Sequence, residues 1–312
     1  MHKLILAAAF GALLATPAQA QQFINILTGG TSGVYYPLGN ALSAIYGKAV
    51  PDARVTVQAT KASVENLNLL QAGRGEVAFT LGDSLSFAAK GDEEMGFAKP
   101  LDKLRTMAAI YPNYIQIVAS RESGIKTLAD LKGKRVSVGA PKSGTEVNAR
   151  TVFAAADLTY NDMSVQYLPF GESVELMKNR QLDATLQSAG LGVASIRDLA
   201  SSVPITVVSV PAALVDKIDD PAFIAATIPA GTYDGQTESI PTVAINNYLV
   251  TREGVPDDEV YALTKAMFDN LDDLVAAHAA AKAISLEKAA QKPPVPLHPG
   301  AERFYREKGV LK

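Results

Sequence analysis

The chain has 312 residues, with 29 Lys and Arg against 32 Asp and Glu, three histidines and no cysteine. A net charge of −3 without basic clusters excludes a nucleic-acid binder. The missing thiols exclude disulfides, thiolate metal sites and a lipid anchor on a cysteine.

At the amino end, Lys3, an apolar run from Leu4 to Thr16 and the small-x-small triplet Ala18-Gln19-Ala20 form a secretory signal cut after residue 20. The run is too short to cross a bilayer, which takes about 20 apolar residues. A periplasmic protein starting near Gln21 is expected, with Lys3 lost and 28 cations left against 32 anions. About 290 residues exceed what one core holds comfortably, so two lobes are expected.

The mature chain opens on an apolar strand from Phe23 to Leu27, then a glycine-rich bend, Thr28 to Gly39, that runs into a helix ending near Lys48. Gly29, Gly30 and Gly33 leave backbone N–H groups bare, and the helix points its positive end at whatever lies in the bend. A plain turn would use the same glycines. Strands over Arg54 to Gln58 and Val77 to Leu81 alternate with helices over Val64 to Ala72 and from residue 82 to Lys90. Strand–helix alternation predicts parallel α/β structure. The extended run from Leu104 to Ser120, interrupted by Pro112, is too long for one core strand and predicts a passage between lobes.

Beyond it the pattern restarts. A short helix over Leu128 to Leu131 is followed by strands over Arg135 to Gly139, Ser164 to Leu168 and Asp183 to Gln187, with helices over Gly144 to Ala156 and Val174 to Arg180 between them. A second extended run, Thr242 to Thr251, predicts the return crossing. After the acidic start Asp257, Asp258 and Glu259, an alanine-rich helical pattern to about Ala290 should lie on the first lobe. Two α/β lobes joined by two crossing strands bind ligands where the carboxyl ends of the strands meet.

The loops at those ends are alike, rich in Gly, Ser, Thr and Asn. Ser143-Gly144-Thr145-Glu146 reads as a capping box, and Ser63-Val64-Glu65-Asn66 as a similar helix start. Asn66 and Asn148, one turn inside these starts, face the cleft or extend the cap network. Lys61 and Lys142 stand beside the two starts and would favour an anion if they face the cleft. Gly139 to Thr145 lacks the Gly-Lys-Ser/Thr order of a phosphate loop, which argues against nucleotide hydrolysis.

After signal removal only His278 and His298 remain, both in the carboxyl-terminal region, so neither a Ser-His-Asp triad nor a histidine metal site is expected. Ser123 and Lys126 have Ser-x-x-Lys spacing without its companion motifs. The acidic pairs Glu93-Glu94 and Asp219-Asp220 and the run at Asp257 read as solvated faces or helix caps. Neither an enzyme nor a cofactor or metal is expected.

The glycine-rich opening, Ser63 to Leu67, Leu128 to Val136, Ser143 to Ala149 and Leu182 to Ala184 together resemble the TAXI family of solute receptors of TRAP transporters, over nearly the whole mature chain. The resemblance implies a type II periplasmic-binding-protein fold whose lobes close on a small solute, with lobe I formed by 21–115 and 250–312 and lobe II by 116–249. Family ligands are small anionic or zwitterionic acids such as glutamate and 2-oxoglutarate. A TRAP permease would be the membrane partner and a monomer the expected state; an ATP-driven importer, a sensor kinase or an enzyme on the same scaffold are the alternatives.

Carried over by position, the pocket residues are Gly30, Thr31, Ser32, Gly33, Tyr35 and Tyr36; Ser63, Val64 and Asn66; Gly82 and Asp83 in a turn; Lys142, Ser143, Gly144, Thr145 and Asn148; and Gln187 and Ser188 in a further turn. Backbone N–H groups and hydroxyls at Thr31 to Gly33, Ser63 to Val64 and Ser143 to Thr145 would hold the carboxylate, with Tyr35 or Tyr36 as an amphipathic wall. Lys142 stands where many relatives have glycine and Gly192 where they have proline, and the extra cation should favour dicarboxylates.

Overall fold

A computed structural model describes residues 22–312, so the expected signal segment lies outside the described residues. The first three strands, β1 (Phe23–Leu27), β2 (Arg54–Gln58) and β3 (Val77–Leu81), match the expected runs to the residue and pair in parallel, β2-β1-β3. Helices α1 (Tyr35–Ala49), α2 (Ser63–Gln71) and α3 (Gly82–Lys90) follow them in turn. The Gly82-Asp83 segment is therefore not a turn: the helix starts directly at the end of β3, with Leu81 as its cap residue.

Strand β4 (Leu104–Ser120) is one 17-residue element, long enough at roughly 3.3 Å per residue to run about 55 Å through both halves of the molecule. Beyond it come β5 (Arg135–Ser137), α4 (Gly144–Ala155), β6 (Ser164–Gln166), α5 (Phe170–Lys178), β7 (Ala184–Ala189) and α6 (Ala194–Ser202). A 3-10 turn at Leu128–Leu131 takes the place of a short helix, boxed by Thr127 and Asp130. Helix α5 begins at Phe170 rather than Val174, because Pro169 supplies an extended cap residue and Phe170-Gly171 is the first turn, not a loop. Gln187 and Ser188 lie inside β7 rather than in a turn.

The segment β8 (Ile205–Val208), α7 (Ala213–Ile218) and β9 (Phe223–Ile228), unread in the sequence, leads to β10 (Ile240–Arg252). The sheet order is β2-β1-β3-β10-β4-β7-β5-β6, with β8 on β4 and β9 on β10. β10 pairs with β3 through Asn247 to Val250 and with β9 through Ile240 to Ile245. β4 pairs with β10 over Leu104 to Tyr114 and with β7 over Tyr114 to Ala119. These are the two crossing strands of a type II periplasmic-binding-protein fold, each changing partners midway. Among the described residues no helix is long and apolar enough to cross a membrane.

The alanine-rich stretch is not one helix. It forms α8 (Asp257–Asp269), α9 (Leu271–Ala277), a 3-10 turn at Ala279–Ala283 and α10 (Leu286–Ala289). Asn270 and His278 leave helical geometry, and the His278 Nδ1 accepts from the Ala280 N–H at 3.1 Å. The bend brings Ala280 against Gly190 of the second lobe, where an added Cβ would lie 2.8 Å from the Ala280 Cβ. The final helix α11 (Pro299–Glu307) packs on α8. Its cap is His298: Nδ1 accepts from the Gly300 N–H, which leaves Nε2–H to donate to the Val255 carbonyl at 3.0 Å. Both described histidines thus close helix starts, and burial holds both rings below the ordinary imidazole range.

Candidate ligand-binding site

The lobes are shut on each other. The Glu65 N–H at the start of α2 donates to the Lys142 carbonyl at 3.2 Å, joining the two helix starts across the cleft. An ideal Cβ on Gly144 would fall 2.5 Å from Ser63 Oγ. Between the lobes lies a cavity of about 130 Å³, room for a handful of waters or one small organic molecule and well under the volume of a drug-sized pocket.

Four loops and a crossing strand build its wall. From the β1–α1 bend come Gly29, Gly30, Gly33, Val34 and Tyr35; from the start of α2, Thr60 to Ser63; from the start of α4, Ala140 and Ser143 to Thr145. The middle of β4 adds Tyr111 and Asn113, the end of β7 adds Ser188 and Ala189, and Pro169 with Phe170 closes the far side. Leu81 contributes from the end of β3. Lys61 is the one charged residue on this wall.

Local sequence explains the shape. Ala62, the residue before α2, has φ 74° and ψ −148°, a region that costs a non-glycine residue about 1–3 kcal/mol and recurs at ligand clamps. It is held there by its neighbours: Thr60 Oγ1 accepts from the Ala62 N–H at 3.0 Å, and the Glu65 carboxylate accepts from the Lys61 N–H at 2.6 Å. Ser63 is consequently not a cap; its Oγ accepts from the Leu81 N–H at 3.1 Å, tying α2 to the end of β3. At α4 the cap is half the expected box. Ser143 Oγ accepts from the Glu146 N–H at 3.1 Å, but Glu146 turns away to Arg150 at 2.7 Å and to the Tyr160 hydroxyl. Ser143→Ala should therefore lower stability by about 1 kcal/mol in urea unfolding, and no change would show that the cap is unimportant.

The backbone N–H groups of Ser63, Val64, Gly144 and Thr145, at two helix starts facing each other, have no acceptor among the described residues. Tyr111 and Ser188, 1% and 5% exposed, contribute to the cavity wall, and their hydroxyls are buried behind it with no partner. Burial raises the Tyr111 pKa well above its ordinary value, so its hydroxyl stays a neutral donor.

Of the residues carried over from the resemblance, Gly30, Gly33, Tyr35, Ser63, Ser143, Gly144, Thr145 and Ser188 are on the wall. Tyr35 presents its ring, stacked 5.0 Å from Phe79, while its hydroxyl is taken by Asn247 Oδ1. Thr31, Ser32, Tyr36, Val64, Gly82, Asp83, Gln187 and Lys142 lie off the wall. The Lys142 side chain is exposed and its carbonyl makes the interlobe bond. Gln187 accepts from Ser195 Oγ at 2.6 Å inside lobe II.

Asn66 and Asn148 are also off the wall, and both are fully buried. Asn66 donates to the Thr28 and Phe79 carbonyls at 2.7 and 2.8 Å, and Asn148 donates to Asp83 Oδ2 at 2.6 Å across the lobes.

The sequence reading did not pick Tyr111, Asn113 or Phe170. The one signal for the first two was Pro112, which marks where β4 leaves one lobe for the other. Their polar groups continue a chain through the hinge: Asn247 donates to Asn113 Oδ1 at 2.7 Å and to the Tyr111 carbonyl at 2.8 Å, and Asn113 donates to the Ser188 carbonyl at 2.8 Å.

Solved structures share this architecture. PhnD1 from Prochlorococcus marinus, in complex with methylphosphonate, aligns with a TM-score of 0.60 at 11% identity, covering 93% of this chain and 100% of that one. MatC from Rhodopseudomonas palustris, with bound malate, gives 0.59 at 13% identity over 95% and 100%. The alkanesulfonate-binding protein SsuA from Xanthomonas axonopodis pv. citri, bound to MOPS, gives 0.51 at 15% identity over 91% and 83%. At such identities the likeness is one of fold. Residues 26–309 match the profile of the NMT1-like family, and the chain belongs to that family.

Proposed function

We propose that this protein is a periplasmic receptor that captures a small organic acid by closing lobe I (21–115 and 250–312) and lobe II (116–249) around it, then presents the closed form to a TRAP permease. The observation that carries this is the interlobe cavity, with free backbone donors at two helix starts and Lys61 as its sole charge. Such a lining suits a carboxylate. The MOPS, methylphosphonate and malate bound by structural neighbours all carry an anionic acid group. Glutamate, 2-oxoglutarate and malate are the acids to test first. No His lies on the wall to serve as a general base, which favours a receptor over an enzyme. The TRAP assignment rests on the motif set, and gene adjacency to a fused TRAP permease rather than an ATPase would support it.

Contacts that span both lobes exist only in the closed form, so the solute shifts the hinge by its differential affinity. Thermal-shift screening tests the reading: an acid at 100 times its Kd adds about 2.7 kcal/mol to stability. A flat response to every small acid would overturn it. Lys61, rather than Lys142, is the cation placed to act on the ligand. Lys61→Ala should weaken binding by about three- to tenfold at low salt and less at high salt, as expected for a screened surface charge. Lys142→Ala should do less, and calorimetric titration at two ionic strengths decides the order.

A further inference from the structure

Behind the cavity, Asp83 of α3 and Asn148 of α4 meet across the lobes, both 0% exposed. One bond joins them, from Asn148 Nδ2 to Asp83 Oδ2 at 2.6 Å. The other oxygen of each, Asp83 Oδ1 and Asn148 Oδ1, is buried with no partner. A carboxylate and a carboxamide have three acceptor oxygens in all against one amide donor, and one oxygen on each side chain is left without a hydrogen bond. A carboxylic acid and a carboxamide have complementary edges and make two bonds in a ring.

We propose that Asp83 and Asn148 are a proton-linked latch: on closure Asp83 takes one proton from solvent on Oδ1 and donates it to Asn148 Oδ1, while Oδ2 keeps the bond from Nδ2. Opening returns the proton to water. The inference rests on the receptor reading, in which the lobes part and close.

The surroundings favour the neutral acid. Burial pushes the Asp83 carboxyl up to about 7; the Ser84 N–H in the first turn of α3 opposes this, and the Asp220 carboxylate adds to it. No cation offsets the effect from the packed elements. Glu65 on α2 is bound to the Lys61 N–H, Glu146 and Arg150 on α4 pair with each other, and Arg252 on β10 pairs with Glu76. Tyr35 on α1 and Tyr248 on β10 are raised by burial and stay neutral. Lys90 at the end of α3 is exposed, and Lys217 in the last turn of α7 pairs with Asp157.

The sign follows from linkage. An open Asp83 titrates near the ordinary value of roughly 4, so between there and about 7 the closed form holds more protons. Closure weakens as pH rises through that window, by at most about tenfold per unit, and levels off above it.

The test uses spin labels at Lys48→Cys on α1 and Lys132→Cys in lobe II, both exposed positions in a chain without cysteine, and reads the interlobe distance of the unliganded protein. At pH 8.5 the distribution should move to longer distances than at pH 5.5. Asp83→Asn supplies the same two-bond ring as an amide pair without a proton, so its distribution should be the same at both pH values. Asn148→Asp, two acids sharing a site, should shift the transition to higher pH and guards against a single misfolded variant. A wild type with no pH shift, or a shift that survives in Asp83→Asn, overturns the latch. The measurement needs no solute, so a chain that binds none of the acids screened still reports on the latch, and a working latch does not rescue a failed screen.

Discussion

Gly144→Val should cut solute affinity by about a hundredfold or more while each lobe stays folded. An ideal Cβ at this position would lie 2.5 Å from Ser63 Oγ, 2.6 Å from Leu81 Cδ1 and 2.9 Å from Ser63 Cβ, and all three atoms belong to the opposite lobe. Within its own lobe, Gly144 is the first residue of α4 and has no positive φ, so an L side chain suits the backbone. The clash therefore exists only when the cleft is shut. A ligand that bridges the lobes must then supply the energy to force them past the new side chain, and a penalty of about 2.7 kcal/mol on the closed form alone costs a hundredfold in apparent affinity. Calorimetric titration with the acid found in the thermal screen, paired with urea unfolding, separates the effects. Affinity within threefold of wild type would show that the closed state seen here is not the one that holds the ligand.

How much of this was legible in the sequence depends on what each residue answers to. The strands over Phe23 and Val77 and the 17-residue crossing strand could be read to the residue, because apolar runs bounded by Gly, Pro and charge report local burial directly, and the strand over Arg54 because its apolar and polar residues alternate. The alanine-rich tail could not. Alanine favours a helix in isolation, but the chain bends at Asn270 and His278 and packs α9 on α1, the 3-10 turn on β4 and Ala280 against Gly190 of the other lobe, which no local pattern reports.

At the site, the same limit applies one side chain at a time. The loops were evident from their small residues, but successive positions in a helical first turn point in different directions. So Ser143 and Thr145 reach the cavity wall, while Glu146 and Asn148 turn to Tyr160 and Asp83. Tyr111 and Asn113 were hidden for the opposite reason. They sit in a strand, where nothing local apart from Pro112 between them distinguishes a residue at the hinge from one in a core.

Asn66→Ala should lower stability by about 3 kcal/mol, and its effect separates two roles for this residue. The side chain is fully buried and spans three elements: Nδ2 donates to the Thr28 carbonyl after β1 and to the Phe79 carbonyl in β3, and Oδ1 accepts from the Thr60 hydroxyl at 2.6 Å. Truncation strands the Phe79 carbonyl, whereas the freed Thr60 hydroxyl, already 2.9 Å from the Thr28 carbonyl, can serve that one. One unsatisfied carbonyl at about 1–3 kcal/mol, with lost bonds of about 1 kcal/mol each, gives the expected total. Because Thr60 also accepts from the Ala62 N–H and so holds the strained turn on the cavity wall, affinity should fall along with stability. Urea unfolding should show a lower midpoint at unchanged slope. If instead affinity alone collapses and the unfolding midpoint stays put, Asn66 touches the ligand and is not the bracket that shapes the loops around it.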